Sequence, residues 1–254
     1  MRIATWNVNS IRARHDLVID WTRRQRPDVL CLQETKVTDE EFPAAEFQRL
    51  GYSVAMAGQR SYNGVAILSQ QPMNDICIGL VDDASDAPKR LIGATIDGVR
   101  VFSAYVPNGQ APDTPPFVEK LRWLERLRAL LDARHDPGQS LVLCGDFNVA
   151  RDERDVFSPE RFAGRLHFTI DERKALELVI GFGFVDAFRQ HHADRGHFTW
   201  WDYRAGAFRL NQGLRIDYIF LTQPLAERST AATIDVDARR REKPSDHVPV
   251  VVEL

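Results

Sequence analysis

Several apolar segments of this chain end in side chains that could carry chemistry. Leu141 to Asn148 reads LVLCGDFN, and an apolar run bounded by a glycine is typical of a buried strand. Because side chains alternate along a strand, Asp146 and Asn148 point the same way while Phe147 packs on the opposite face. A carboxylate is costly at such a position unless it has a partner or a task. On its own, the stretch fits a turn capped by Asp146 equally well.

The same pattern recurs at other predicted strand ends, where apolar runs stop at an amide, a carboxylate or an imidazole. Any one of these residues would ordinarily be a cap, a turn or a hydrogen-bonded core residue. Their repetition predicts one polar cleft at an edge of the fold, because sites are built from strand-end loops on a rigid scaffold. The residues are Asn7, Asn9, Glu34, Tyr105, Asp146, Asn148, Asp217, Asp246 and His247.

The residue types in this cleft restrict its chemistry. No serine or cysteine lies in a recognisable nucleophile setting, and the phosphate-binding pattern GxxxxGK followed by Ser or Thr is absent. Oxygen ligands such as Glu34 suit a hard cation, so Mg²⁺ is the expected cofactor, with Mn²⁺ as the alternative. His247 beside carboxylates would be held positive and bind an anion, while Asp146 would orient or deprotonate water. Together they predict metal-assisted hydrolysis of a phosphate ester.

These residues need strands and helices that hold them at one edge. Asp97-Gly98 between two apolar runs is a strong hairpin signal. Ser10 is predicted to cap a helix that Pro27 ends, and residues 117–134 have the apolar spacing of an amphipathic helix. Strands are predicted at the LVLCGDFN stretch and at residues 2–8, 28–33, 52–56, 65–69, 91–96, 99–106, 198–203, 214–221, 232–236 and 247–253, and helices at residues 11–25, 40–50, 117–134 and 171–180.

The order of these elements favours one layered domain. No Ser/Gly-rich linker or low-complexity tract divides the 254 residues, so residues 1–254 are predicted to form a single domain. Strands outnumber helices, and the hairpin signals exclude a purely parallel sheet. The prediction is an α/β fold, a four-layer α/β sandwich in which two mixed β-sheets pack face to face with helices outside.

Composition and charge exclude several classes of protein. Hydrophobic residues make up 44% of the chain and charged residues 27%, as in an ordinary globular protein. The N-terminus lacks a signal-peptide pattern, and no stretch is apolar enough for a membrane span. Cys31, Cys77 and Cys144 form no CxxC, so a reduced, cytoplasmic protein is expected. With a net charge of −3, binding to a polyanion would need a local basic surface.

The chain resembles the exonuclease III family of DNA-repair nucleases, part of the wider endonuclease/exonuclease/phosphatase fold. The matching motifs, in chain order, are WNVNSIRAR, PDVLCLQETK, NGVAIL, CGDFNVA, FTWWDYR, GLRIDYIFL and KPSDHVPV. The match is collinear and spans essentially the whole chain. GDFN and SDH are shared across the superfamily, whereas FTWWDYR with GLRIDY is much narrower and indicates the DNA-repair branch.

The resemblance implies a role for each residue of the predicted cleft. Glu34 matches the principal Mg²⁺ ligand with Asn7 beside it, and Asp246 matches a second acidic residue near the metal. Asp146 matches the residue that activates the attacking water. The remaining implied residues are Asn148, which fixes that water and the phosphate, His247, which contacts the scissile phosphate, Asp217, which orients this histidine, Tyr105 and Asn108 at the phosphate, and Asn9 beside the metal on the substrate side.

The segment from Trp200 to Arg215 interleaves aromatic side chains with arginines. Stacking surfaces beside phosphate-binding groups suit a distorted or unpaired nucleotide, although strand alternation would place some of these aromatics in the core. The resemblance implies a small pocket for an extrahelical abasic sugar. The candidate substrate-binding residues are Trp200, Leu214 and Ile216, which line the implied pocket, together with Trp201 and Arg204.

His167 departs from the family pattern. The family usually has Gly or Ser at this position, followed by a Pro-Glu-Glu-Arg-like run, whereas this chain reads GRLHFTIDERKAL. An imidazole bordering the nucleotide cleft would crowd it and block an internal abasic site, while a frayed 3′ end would stay accessible. We therefore expect His167 to contact the substrate side, and we expect 3′-end trimming or dephosphorylation to exceed incision at internal abasic sites.

The resemblance implies a Mg²⁺-dependent DNA phosphodiesterase of base-excision repair that works at 3′ ends as a 3′–5′ exonuclease and 3′-phosphatase. The expected substrate is double-stranded DNA with nicks, 3′ ends or abasic sites, bound by a monomer without membrane association. Two alternatives stay open: a catalytically silent nucleic-acid-binding regulator of this fold, and a phosphatase for a non-DNA phosphate ester. The retained GDFN and SDH residues count against the first, and the aromatic–arginine segment counts against the second.

Overall fold

Twelve strands form two six-stranded β-sheets in the computed structural model, which describes residues 1–254. Sheet 1 contains, in spatial order, β11 (Ala231–Ile234), β12 (Val250–Glu253), β1 (Arg2–Asn7), β2 (Val29–Gln33), β4 (Val65–Ser69) and β3 (Ser53–Ala57). Sheet 2 contains β5 (Met73–Ile78), β6 (Leu91–Ile96), β7 (Val99–Tyr105), β8 (Leu141–Asp146), β10 (Asp217–Thr222) and β9 (Phe184–Asp186). Each sheet has one parallel pair, β1–β2 or β7–β8, among antiparallel neighbours, so both sheets are mixed.

Seven α-helices connect these strands, and two short 3₁₀ helices occupy residues Glu153–Asp155 and Val236–Arg240. The α-helices are α1 (His15–Gln25), α2 (Ala44–Arg49), α3 (Pro115–Arg134), α4 (Pro159–Phe162), α5 (Ile170–Ile180), α6 (Ala187–His191) and α7 (Gln223–Ala226). None of them is long and apolar enough to cross a bilayer.

Alternation along the buried strands builds three apolar layers. In β8 all six residues are buried: Val142 and Cys144 join a cluster of 24 residues between the sheets, while Leu141 and Leu143 face α3 and α5 on the outside of sheet 2. Trp6 of β1 belongs to the corresponding cluster that packs sheet 1 on α1 and α2. Helices thus cover the outer faces of two packed sheets, and the predicted four-layer α/β sandwich is confirmed.

Strand register brings the predicted polar residues to one edge. Asp146 at the end of β8 pairs with Tyr105 of β7 on one side and with Asp217 of β10 on the other. Gly145 allows this approach because its φ is +139° and a side chain there would collide with the backbone of Ala104 in β7. The glycine in LVLCGDFN therefore keeps β7 and β8 in register where the site begins.

The structure corrects several predicted elements. The helix predicted at 11–25 begins only at His15, because residues 11–14 form turns and Ser10 has a positive φ. Residues 198–203 are not a regular strand and pair only through isolated bridges at Trp200. Strand β5 was not predicted because, at this edge of sheet 2, most of its residues are exposed and its apolar alternation is weak. All three cysteines are unpaired.

Candidate active site

Asn7 connects the two sheets at the edge where β1 and β8 end. Its Nδ2 atom donates hydrogen bonds to Oε1 of Glu34 and to Oδ2 of Asp146, each at 2.8 Å. Asn7 is the last residue of β1, and Glu34 directly follows the parallel neighbour β2. One amide thus bridges a carboxylate from sheet 1 and a carboxylate from sheet 2, so residues distant in sequence share one cleft.

The turn after β8 fixes Asp146 and Asn148. Oδ1 of Asp146 accepts the backbone N–H of Asn148 at 2.9 Å. The Asn148 amide donates to the carbonyl of Val106 at 3.0 Å and to Oδ2 of Asp146 at 3.3 Å. Its own Oδ1 accepts from Nδ2 of Asn108 at 3.2 Å. These three predicted residues therefore form one hydrogen-bonded group with little freedom to rotate.

His247 enters the cleft from the loop before β12. Its Nδ1 atom lies 2.9 Å from Oδ2 of Asp217, and its Nε2 atom lies 3.8 Å from Oδ2 of Asp146. Oγ1 of Thr199 accepts the backbone N–H of Asp217 at 3.1 Å, which anchors the Asp217 backbone at the start of β10. The indole of Trp6 donates to the His247 carbonyl at 3.1 Å. The imidazole is thus oriented by Asp217, with its other nitrogen turned toward Asp146.

The charges of this group are shifted by burial and by one another. Burial raises the pKa of Asp146 from 3.8 to about 7, and the negative charges of Asp217 and Glu34 add to this effect against the opposing charge of His247. Burial alone would lower the pKa of His247, but Asp217 and Asp146 outweigh it and raise this pKa from 6.5 to about 10. At neutral pH His247 is a cation, and Asp146 lies near the range where a carboxylate can take up a proton.

Asp246 is held by two donors, Nδ2 of Asn9 at 2.9 Å and the indole Nε1 of Trp200 at 3.0 Å. Burial acts to raise the pKa of Asp246, but the charge of His247 and these two hydrogen bonds leave it below its usual value. Lys36 donates to Oδ1 of Asn9 at 2.6 Å and pairs with Glu34 at 2.7 Å. The Asp246 carboxylate is therefore anionic and is linked to the cleft through Asn9.

Tyr105 completes the wall of the cleft on the β7 side. The guanidinium of Arg90 lies 4.7 Å from the centre of its ring. Burial raises the pKa of the Tyr105 hydroxyl, and the negative charges of Glu34 and Asp146 act in the same direction. Tyr105 is consequently a neutral phenol, which can donate a hydrogen bond to an anion in the cleft.

The donor set fits a divalent cation. Glu34 and Asp146 offer carboxylate oxygens that lie within 4.8 Å of each other and of a His247 nitrogen, and the protonated imidazole leaves these oxygens as the ligands. Two carboxylates that converge on the single amide of Asn7 repel each other, and a hard cation between them would relieve that repulsion. The side chain of Glu34 is 16% exposed, so it is open to an ion arriving from solvent.

Four of the residues at the cleft have a left-handed backbone conformation. Among non-glycine residues, φ is 44° at Asn9, 52° at Glu34, 53° at Asn148 and 71° at His167. Asn tolerates this conformation, whereas for Glu34 and His167 it costs of order 1–3 kcal/mol. Such strain persists only where surrounding contacts impose it, and it clusters at functional sites. These turns aim the side chains into the cleft.

A small apolar cluster adjoins the polar cleft. Leu214 and Ile216 belong to a buried cluster against which Trp200 packs, so these three predicted residues come together. His167 stands beside them, with its ring centre 6.2 Å from that of Trp200. Its Nδ1 atom lies 2.6 Å from the carbonyl of Asn148, which can only accept, so Nδ1 carries the proton. Burial and the nearby Lys120 charge lower the pKa of His167 to about 4, and the ring is neutral.

A buried ion pair behind the site was not predicted. Lys120 of α3 and Glu172 of α5 are fully buried and hydrogen-bonded to each other. Lys120 also donates to the carbonyls of Asn108 at 3.1 Å and Asn148 at 2.7 Å, and Glu172 accepts the backbone N–H of His167 at 3.0 Å. The pair thus anchors three turns that border the cleft. The signals for it were the lysine within the apolar stripe of α3 and the Thr-x-x-Glu capping box of α5.

Two predicted substrate-binding residues lie elsewhere. Trp201 is 1% exposed and packs in the sheet 1 core, where its indole donates to Oδ1 of Asn211 at 3.2 Å. The side chain of Arg204 is 90% exposed and contacts only Asp202, at 3.7 Å. Arg215, part of the same aromatic–arginine segment, is buried between Asp155 and Asp186. Trp201 is thus one of the aromatics of this segment that lie in the core, and the face of its ring is not accessible to a nucleotide.

Comparison with known proteins gives concordant matches. The model of the Endonuclease/Exonuclease/phosphatase family matches residues 4–247. Exodeoxyribonuclease III of Haemophilus influenzae is 34% identical over 266 residues, covering 100% of both chains. An AP endonuclease from Archaeoglobus fulgidus superposes with a TM-score of 0.97 at 43% identity, over 100% of this chain and 99% of that one. NExo from Neisseria, described as a 3′-5′ exonuclease and as a 3′ phosphatase bound to a product DNA hairpin, superposes with a TM-score of 0.96 at 38% identity, with the same coverage.

Proposed function

Because this chain belongs to the endonuclease/exonuclease/phosphatase family, we propose that it hydrolyses phosphate esters at the 3′ ends of damaged or nicked double-stranded DNA. Its full-length similarity to exodeoxyribonuclease III and to NExo supports a nuclease of DNA repair with 3′–5′ exonuclease and 3′-phosphatase activity. The observation that carries the proposal is Asp146, a buried carboxylate with a pKa of about 7, within 3.8 Å of the cationic His247.

Mg²⁺ is the proposed cofactor, with Mn²⁺ as a substitute. Glu34 would hold the ion from sheet 1, with Asn7 adjoining it and Asp246 close by through Asn9. A bound divalent cation would polarise the phosphate and offset the charge that develops on the leaving oxygen. The oxygen-rich donor set supports this choice, since Mg²⁺ binds through one or two carboxylates and keeps several waters.

The protein groups then divide the reaction among them. Asp146 takes a proton from the attacking water, which Asn148 holds in line with the phosphorus. His247, kept cationic by Asp217, binds the scissile phosphate and stabilises the added negative charge. Tyr105 and Asn108 donate hydrogen bonds to the other phosphate oxygens from the β7 side. These roles agree with the protonation states given above: His247 is a cation, Tyr105 is a neutral phenol, and Asp146 has a pKa near neutrality.

DNA binding is supported by a local basic surface on a chain of net charge −3. A shallow groove at the loop after β1 is lined by the basic residues Arg12, Arg14, Arg241 and Lys243, with the acidic Asp16, Asp20 and Glu242 among them. Asn9, which belongs to the cleft, lies in the same loop. A DNA backbone in this groove would therefore run past the carboxylates, and its phosphates would replace the counterions of these cations.

His167 narrows the proposed substrate to 3′ ends. Its neutral ring lies 6.2 Å from that of Trp200, beside the apolar cluster of Leu214 and Ile216 where the abasic-sugar pocket is expected. An extrahelical abasic sugar would have to share that space with the imidazole, whereas a terminal nucleotide can approach from outside. Incision at internal abasic sites is accordingly proposed to be the weaker activity.

We also propose a compartment, an oligomeric state and a domain organisation for this enzyme. We place the enzyme in the cytoplasm as a monomer that does not associate with membranes, and we treat residues 1–254 as one domain. Buried Cys31 and Cys144 as free thiols support a reducing compartment. The hydrogen bonds that hold Asp146 and the contact that orients His247 support hydrolysis over the alternative of a silent regulator.

Three defined duplexes test the proposal side by side: a blunt duplex, one with a 3′-phosphate at a nick, and one with a central abasic analogue. Release of phosphate from the nicked duplex should require Mg²⁺ and stop with EDTA, and it should exceed cleavage of the abasic duplex. Glu34→Gln should weaken the response to Mg²⁺ without changing the circular dichroism spectrum. Release of phosphate only from non-DNA esters would contradict the assignment.

A further inference from the structure

The loop after α6 holds a second group of metal-ligating side chains, away from the cleft. His192, Asp194 and His197 each offer a ligand atom, and these atoms lie within 4.8 Å of one another. Nε2 of His197 lies 2.9 Å from Oδ2 of Asp194. None of the three residues hydrogen-bonds to a residue of the candidate active site. The proposed reaction gives them no task.

His192 is already held in the tautomer that a metal ligand needs. Its Nε2 atom lies 2.7 Å from the carbonyl oxygen of Ala232, which can only accept a hydrogen bond. Nε2 therefore carries the ring proton, and the lone pair of Nδ1 is free. Ligating histidines in proteins nearly always donate their other ring N–H to a carbonyl or carboxylate in this way.

An aromatic wall fixes the orientation of both histidine rings. Phe188 stacks on His192 with ring centres 4.4 Å apart and planes inclined by 21°, and it meets His197 edge-on at 5.2 Å. The two imidazoles are themselves 5.5 Å apart. Packing on one phenyl ring keeps the two nitrogen donors on the same side of the loop and reduces the entropy lost when an ion binds.

The backbone of this loop is anchored as well. The guanidinium of Arg189 donates to the carbonyls of His192 at 3.2 Å and Asp194 at 2.5 Å, and its other nitrogen lies 2.5 Å from Asp155. Asp155 is buried and also binds Arg215. The loop is thus fastened to a rigid ion-pair network, so its ligands are held near one another before any ion arrives.

We propose that His192, Asp194 and His197 form a second metal site, which takes a borderline transition-metal dication such as Zn²⁺ or Ni²⁺. Two imidazoles and one carboxylate suit these ions and not Mg²⁺, which prefers oxygen ligands. Ligand atoms in a tetrahedral zinc site lie about 3.3 Å apart. The ligand atoms, now within 4.8 Å of one another, must therefore approach by at most about 1.5 Å, which these partly exposed side chains allow. A cavity of about 650 Å³, lined by both histidines, leaves room for a water or anion as fourth ligand.

Metal binding at this site should reduce the mobility of residues 198–200, which lead from His197 to the active site. Residues 198–200 follow His197 directly, and Thr199 supports Asp217 while Trp200 supports Asp246. An ion that ties His197 to His192 would restrain the segment that carries both supports. We expect the melting temperature to rise with Zn²⁺ in a manner that depends on these histidines.

Zn²⁺ binding to the full-length, EDTA-treated chain tests the site. Competition with a chromophoric chelator should give two equivalents for the wild-type chain and one for Glu34→Gln, because the latter loses the ion of the cleft. In the Glu34→Gln background, His192→Ala or His197→Ala should remove the remaining equivalent. Asp194→Asn, which preserves the shape of the side chain, should lower the affinity for this Zn²⁺ ion at least tenfold.

His191→Ala is the matched control, since His191 is the exposed last residue of α6, next to this loop, and its side chain hydrogen-bonds to Ser229. In the Glu34→Gln background, His191→Ala should still bind the remaining equivalent of Zn²⁺, and so should His15→Ala. Release of phosphate in Mg²⁺ checks that each variant made in the native background is folded. Unchanged Zn²⁺ stoichiometry in both His192→Ala and His197→Ala, or equal loss in His191→Ala, would overturn the site.

Discussion

Nδ1 of His247 lies 2.9 Å from Oδ2 of Asp217, and both side chains are almost fully withdrawn from solvent. The Asp217 backbone is itself anchored by Oγ1 of Thr199. This contact sets the charge of the imidazole, because Asp217 is the leading contribution that raises the pKa of His247 to about 10. The protein therefore presents a cation to the phosphate across the physiological pH range.

Asp217→Asn should lower the pKa of His247 from about 10, since the amide keeps the shape but removes the charge. NMR titration of the His247 ring protons in metal-free protein measures this directly. The alkaline limb of the rate profile should move to lower pH in the same variant. An unchanged His247 titration would show that the carboxylate does not hold the proton.

The free energy of unfolding should depend on pH through the same ionisation of His247. The folded pKa of His247 lies above the unfolded value of 6.5, so its stabilising contribution is complete below about pH 6.5 and is lost as the pH rises through about 10. Urea unfolding of the wild-type chain between these limits should show the decline. Asp217→Asn should be less stable at neutral pH and should flatten this part of the curve.

His167→Gly should raise incision of a central abasic analogue, because it removes the ring that faces Trp200. Glycine also adopts the positive φ of 71° at this position without strain, so the turn should be retained. The ratio of abasic incision to 3′-phosphate release is the quantity to measure, since a general change in activity leaves it constant.

His167→Asn serves as the control for this change. Asparagine tolerates the left-handed backbone and keeps a polar side chain, so incision should rise less than in His167→Gly. Equal ratios in the wild-type chain and His167→Gly would mean that His167 does not exclude the abasic sugar.

Arg215→Ala should destabilise the fold strongly. The guanidinium donates to Asp155 at 2.7 Å and to Asp186 at 2.8 Å, and all three side chains are buried. Removing it leaves the buried Asp186 without its closest cation and leaves Asp155 paired with Arg189 alone. Breaking a buried ion pair in this way typically costs about 3–5 kcal/mol of unfolding free energy. Arg240→Ala, which breaks a pair with Asp237 at the surface, should change that free energy by less than about 1 kcal/mol. Denaturant unfolding measures the free energy of unfolding of both variants. Similar losses in Arg215→Ala and Arg240→Ala would contradict the claim that the buried ion pairs stabilise the fold more than the exposed one.

Strand ends made most of the candidate site predictable. Asn7, Glu34 and Asp146 stand where apolar runs stop, and parallel pairing in each sheet brings such ends to one edge. The sequence pattern does not predict the contact between the sheets. In that contact, the Asn7 side-chain nitrogen donates to Glu34 of sheet 1 and to Asp146 of sheet 2. That contact depends on how two sheets pack, which local periodicity does not encode.

The segment from Phe198 to Ile216 was the least predictable part. Local composition favours strands there, whereas the structure holds it by isolated bridges such as Trp200 with Leu214 and with His247. The adjacent residues Trp200 and Trp201 still pack in different clusters, Trp200 against Leu214 and Ile216 and Trp201 in the sheet 1 core. The partners that bury Arg215 lie 29 and 60 residues away, beyond any local pattern.

The hydrolysis rate of Asp146→Asn tests the central claim most directly. Single-turnover release of phosphate from a 3′-phosphate nick in Mg²⁺ should fall by roughly 10²–10⁴-fold, since the variant loses the base that takes the proton from water. Binding of the same nicked duplex, measured in parallel by fluorescence anisotropy, should be retained because the basic groove is untouched. Near-wild-type phosphate release by Asp146→Asn would contradict the role given to this carboxylate.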